Sequence, residues 1–135
     1  MSFRERTAWI ALIANLGVYA AYFAYVAAHA WAGWAPLVTA TAALIALQII
    51  LSIINAVANP SEAVAKPDER DRLIDLLAAR AGFYTLQAGA FLAFCALLVR
   101  PAHPRLLAQS VLLAMVTAEL VRSEWQVIAY RRQAA

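Results

Sequence analysis

The placement of charge limits this chain more than any other feature: four apolar blocks, each close to the length of a bilayer crossing, carry almost none of it. The ionisable side chains crowd into the segments between those blocks and at the two ends. A soluble domain of 135 residues buries one core and keeps a charged skin. Here 64% of the residues are apolar and 14% charged, with a mean hydropathy of +0.68, so water cannot be the main solvent.

The sequence therefore predicts an all-α, polytopic membrane protein, a single domain in which four transmembrane helices form a bundle. The expected crossings are about 8–30, 37–57, 78–99 and 106–126. Arg4, Arg6 and the small-x-small triplet Ala28-His29-Ala30 mimic a removable signal peptide. The apolar stretch before the triplet, however, exceeds the usual h-region of about 7–15 residues and holds Asn15, Tyr19, Tyr22 and Tyr25. It is expected to stay as the first crossing. Trp31, Gly33, Trp34 and Pro36 make a tight uncharged turn, and Asn59-Pro60 closes the second block. Residues 59–75 are the one plainly aqueous stretch, from which the third helix is expected to begin before it reaches the membrane. Pro101 and Pro104 force the last turn, and Trp125 and Tyr130 are placed as interfacial anchors.

Basic residues set the orientation. Arg4, Arg6, Lys66, Arg70, Arg72, Arg80, Arg122, Arg131 and Arg132 fall on one side, against Arg100 and Arg105 on the other. That bias puts both termini in the cytoplasm. The net charge of +3 does not suggest nucleic acid as a direct partner, because the basic residues end apolar blocks instead of lining one surface. No phosphate-binding glycine loop is present, Cys95 stands alone as a small packing residue, and His29 and His103 are too isolated to pair on a metal. Neither a cofactor nor a metal is expected.

Two groups of residues are candidates for function. Asp68, Glu69, Arg70, Asp71, Arg72 and Asp75 put six charges within eight positions. Part of this run suits a helix start: Pro67 precedes it, Asp68 can cap free N–H groups, Asp71 stands where a capping box closes, and Asp68 and Arg72 are spaced for an i,i+4 pair. Asp68, Asp71 and Asp75 also share one helix face, as a divalent-ion site would need, although no second carboxylate group accompanies them. The remaining use is a docking surface, formed by Asp68 to Arg72, for a cytoplasmic protein.

The second candidate is Glu119, a carboxylate inside the fourth crossing, with Arg80 or Arg122 as its expected ion-pair partner. Gln87, with Asn15, Gln48 and Asn55, either joins it in a small polar cavity or makes interhelical hydrogen bonds. Thr85, Gly89 and Ala93, and likewise Ala78 and Gly82, follow the small-xxx-small spacing of close helix contacts, within one chain or in a homo-oligomer. Tyr19, Tyr22 and Tyr25 recur near helical spacing, as packing aromatics or as a ligand wall.

The segment DERDRLID, followed by Arg80, Gly82, Phe83 and Tyr84, resembles the signature of a family of small prokaryotic four-helix membrane proteins of unknown function, in which a DER-type run precedes the third helix. The resemblance covers about residues 68–84 and the overall layout. It implies no catalytic residue. Proteins of that kind are often encoded beside small helix-turn-helix regulators, which implies that some hold a transcription regulator at the membrane. Four-helix multidrug exporters invite comparison too, but those carry a key glutamate in the first helix, where this chain has Asn15. The functional expectation is a non-enzymatic regulatory or interaction protein in the bilayer. The alternative is a small dimeric ion-coupled transporter that uses Glu119.

Overall fold

The structure, a computed structural model, describes residues 3–29, 34–65, 68–99 and 104–132, and every element within them is an α-helix. The helices are α1 (Phe3–Ala28), α2 (Ala35–Ala58), α3 (Pro60–Val64), α4 (Glu69–Val99) and α5 (Pro104–Arg132). All but α3 are long and apolar enough to cross a bilayer, which makes this an all-α, multi-pass membrane protein. Trp31, Gly33, Lys66, Pro67, Arg100 and Pro101, to which the sequence assigns turn, topology or capping roles, lie outside the described residues, as do Ala30 of the cleavage-like triplet and His103.

The helices are longer than the crossings alone require. α1 begins at Phe3, so Arg4, Glu5 and Arg6 belong to its first turns. α4 has 31 residues, about 46 Å at about 1.5 Å per residue, against about 30 Å of hydrocarbon. Its charged start is therefore helix that stands outside the apolar layer. The element with no counterpart in the sequence analysis is α3. Pro60 does end α2, but its fixed φ and missing N–H also suit the first turn of a new helix, and Asn59, at φ −139° and ψ 63°, separates the two.

The chain divides into two compact units, Met1–Pro67 and Asp68–Ala135. In the first, α1 packs antiparallel on α2, and α3 folds against the end of α2. In the second, α4 and α5 form an antiparallel pair along a seam of small residues. Ala78 is fully buried, and Ala93, Ala114, Ala118 and Ser123 are buried with it. A Cβ built on Gly89 would stand 2.6 Å from the Ala114 Cβ, and one on Gly82 would stand 3.1 Å from the Ala118 carbonyl oxygen. Lipid supplies no hydrophobic drive to bring two apolar helices together, so close backbone approach and van der Waals contact hold the pair. The large apolar side chains point away from it: Ile49, Ile53, Phe91, Leu92 and Leu113 are each more than half exposed, the inverse of a soluble core and the surface that a bilayer would cover.

Candidate functional site

The charged run splits into two functions. Asp68 is the residue before α4, and its carbonyl accepts the Arg72 N–H at 3.1 Å, the first bond of the helix. Its Oδ1 accepts the Glu69 N–H at 2.8 Å, while Asp71 Oδ2 reaches back to accept the Asp68 N–H at 3.2 Å. That second bond is the returning half of a capping box, with Asp71 at the third helical position. Asp68 and Asp71 are thus committed to starting α4, and Asp68 and Arg72 meet through backbone atoms. Replacing Asp68 with alanine is expected to cost about 1 kcal/mol of local helix stability and to speed amide exchange over Glu69 to Arg72, whereas Asp68→Asn, which keeps an acceptor, leaves both nearly unchanged.

Glu69, Arg70 and Arg72 are exposed, and among the described residues no hydrogen bond or ion pair engages their side chains. Asp75, one turn further on, is held by α5, whose Gln126 Nε2 donates to its Oδ1 at 3.0 Å. Among the described residues no group of three or more His, Cys, Asp or Glu side chains is placed to hold a metal ion.

Of the two partners expected for Glu119, the structure selects Arg122: the two stand 3.7 Å apart one turn along α5, each a little under half exposed. Both line a groove of about 310 Å³ beside the α4–α5 seam, with Gly82, Phe83, Leu86 and Met115. Arg80 and Gln87 are exposed on α4 and do not line it. A second groove, of about 480 Å³, flanks the same seam between Thr85, Gly89, Leu92, Leu113 and Thr117. The Thr85 and Thr117 hydroxyls donate to carbonyls of their own helices, so its walls present little free polarity.

The densest polar network lies in the other unit, and of its members only Asn55 carries a functional expectation from the sequence. Phe3 N–H, an unpaired donor at the start of α1, donates to Glu62 Oε2 of α3 at 2.9 Å. The Arg6 guanidinium lies 3.6 Å from the same carboxylate and donates to Asn59 Oδ1 at 3.0 Å. Asn55 Nδ2 donates to Thr7 Oγ1 at 3.1 Å and stands 3.4 Å from the Phe3 carbonyl oxygen, while Asn59 Nδ2 donates to the Asn55 carbonyl at 3.1 Å. Arg6, Asn55, Asn59 and Glu62 thereby close one end of the α1–α2 pair. Asn55 makes the interhelical bond that was one of its two expected uses, and Asn15 instead donates to Ala11 of its own helix at 2.9 Å. The one usable signal for this network was Asn55 standing one turn before Asn59; the pairing of Glu62 with residues 56 or more positions away had none.

The tyrosines pack. Tyr22 meets Tyr19 and Phe23 edge-on with centroids 6.5 Å and 5.3 Å apart, and Tyr25 stacks on His29 at 4.4 Å. Cys95 is a free thiol, half-buried on α4. Comparison with protein-family models, with curated proteins and with solved structures finds no match to this chain.

Proposed function

We propose that this is a non-enzymatic regulatory or interaction protein of a prokaryotic inner membrane, with both termini in the cytoplasm, which presents the segment Asp68, Glu69, Arg70, Asp71 and Arg72 to a cytoplasmic protein. One observation carries the reading. Asp68 and Asp71 are consumed in capping α4, yet three more charges beside them, Glu69, Arg70 and Arg72, are exposed and have no partner among the described residues. Capping needs only the two aspartates. A capped helix end decorated with both signs of charge, on a helix longer than the bilayer, suits recognition by a protein surface of complementary pattern. The resemblance of residues 68–84 to proteins encoded beside helix-turn-helix regulators makes a transcription regulator the first partner to test.

The structure refines that test. Alanine at Asp68 or Asp71 would loosen the helix start along with the surface, so the informative variant is Glu69→Gln/Arg70→Gln/Arg72→Gln, which keeps the cap and a polar side chain at each position. Affinity capture from cross-linked native membranes should recover one specific cytoplasmic protein with the wild-type chain and at least about tenfold less with the variant, the scale of two lost ionic contacts. Equal recovery with both, or no cytoplasmic protein with either, would overturn the docking role.

A further inference from the structure

The charged start of α4 leads directly into an apolar stripe that has no use in the cap. Counted back from Val99, Arg80 stands 19 positions away, about 28 Å along the helix, so a hydrocarbon layer of about 30 Å is spent there and Glu69 to Ala79 stand beyond it. The helix pair does not fray at that point. Ile74, Ala78, Ser123 and Val127 are buried between α4 and α5, and Gln126 Nε2 donates to Asp75 Oδ1 at 3.0 Å, so the two helices continue past the apolar layer as one stalk. On the side of α4 turned away from α5, Leu73, Leu76 and Leu77 are 55%, 52% and 39% exposed. Their i, i+3, i+4 spacing makes one stripe, and no lipid tail reaches that height to cover it.

We propose that this stripe, with the charges around it, seats an acidic amphipathic helix of the cytoplasmic partner; the inference rests on the docking role and names the chemistry of what docks. Leucines at this spacing are the seam against which a further helix packs in a bundle. The surrounding charges fix the sign of that helix. Arg70 and Arg72 stand on the two edges of the stripe, Arg80 closes its membrane end and Glu69 its far end, and all four are exposed. Three guanidiniums against one carboxylate call for carboxylates along both borders of the incoming helix. Arg80, which the capping segment does not include, thereby joins the docking site.

Charge also argues against a second copy of this chain as the occupant. Two copies that cross one membrane in the same sense are related by an axis along its normal, so α4 would lie parallel to its own copy. Glu69 and Arg80 fall along the midline of the stripe, and each would then face its own copy, like charge on like. A separate helix can instead set carboxylates opposite the arginines and a base opposite Glu69.

Fluorescence anisotropy on the full chain in phosphatidylcholine nanodiscs tests this with two labelled helical peptides. Each carries leucines at i, i+3, i+4 and i+7, bordered by glutamates in one peptide and by lysines in the other. After subtraction of binding to empty nanodiscs, the glutamate peptide should bind the wild-type chain at least about tenfold tighter than the lysine peptide. Leu73→Ser/Leu76→Ser should weaken the glutamate peptide about tenfold, and Arg80→Gln about threefold. Equal affinity of the two peptides for the wild type, including none, or glutamate-peptide binding unmoved by the leucine variant, would each overturn the proposal. The wild-type comparison needs no variant, so a substitution that disturbs folding leaves the test intact. Failure of the docking role looks different. In the capture experiment, a cytoplasmic protein lost with Glu69→Gln/Arg70→Gln/Arg72→Gln but kept by Leu73→Ser/Leu76→Ser leaves that role standing and overturns the helix alone, whereas no cytoplasmic protein on the wild type overturns the role itself.

Discussion

Gly89→Ala lowers the stability of the α4–α5 pair by about 1–3 kcal/mol, and Gly89→Leu by more, although both substitutions make the helix more apolar. The Cβ would arrive 2.6 Å from the Ala114 Cβ and 3.3 Å from its Cα, closer than carbon atoms in contact tolerate. Rotating a side chain cannot relieve the clash, because a Cβ on each helix is fixed to its backbone. The helices must separate, and the seam through Ala93, Ala114 and Ala118 opens along with the contact. Unfolding of the purified protein in mixed micelles, followed by circular dichroism against rising denaturing detergent, reads the loss. The double variant Gly89→Ala/Ala114→Gly moves the methyl from one helix to the other and should recover most of it. A coupling of about 1 kcal/mol or more in that cycle is expected, since the two sites touch. If Gly89→Leu unfolded with the wild-type midpoint, close packing of these backbones would not be what holds the pair together.

Arg6→Met is expected to loosen the unit Met1–Pro67 by about 1–2 kcal/mol. Arg6 joins three elements: it belongs to α1, donates to Asn59 after α2, and pairs with Glu62 of α3. The side chains of Arg6 and Glu62 are 36% and 52% exposed, so the ion pair itself contributes modestly, and most of the effect comes from the hydrogen bond to Asn59 and the lost hold on α3. Glu62→Gln should be milder, below about 1 kcal/mol, because an amide oxygen still accepts the Phe3 N–H. Hydrogen exchange at the first turn of α1 separates the two: Arg6→Met speeds exchange from Phe3 through Thr7 more than Glu62→Gln does. The reverse order would place the weight on the cap of α1 instead of on Arg6.

These two sites differ in how visible they are in the sequence. The small residues Thr85, Gly89 and Ala93 mark a contact face on α4 by spacing alone, because a helix repeats every 3.6 residues and small residues there have little other use. The pattern does not say which residue lies opposite. That Gly89 meets Ala114 depends on the register of two antiparallel helices, which is set by how closely the whole seam can pack. The cap at Asp68 and Asp71 is legible for the same reason as the small-residue face: its partners are three residues apart. The Arg6 network is not, since apart from Asn55 and Asn59, one turn apart, its contacts join residues 48 or more positions away, a separation that carries no period.

Glu119 stands between these cases. A carboxylate within an apolar block demands a partner on energetic grounds, and both Arg80 and Arg122 were within range by depth. Arg122 is chosen because it is one turn away on the same helix, where the pair forms without any tertiary contact. Arg80 sits two residues before Gly82 on α4, turned away from the groove that Glu119 lines.

By itself the sequence determined what depends on composition and short-range period: an all-α chain, four helices of membrane length, and the helix start at Asp68. These follow from transfer of apolar side chains into lipid and from backbone hydrogen bonds that each segment satisfies internally, neither of which needs a neighbour. Tertiary structure alone decided that the chain forms two compact helix pairs and that Gly89 faces Ala114. It also decided that Arg6 fastens α3, and that Glu119 and Arg122 share an open apolar groove. Each of those depends on contacts between residues distant in the chain, where the free energy of a shared surface, and not any local preference, selects the partner.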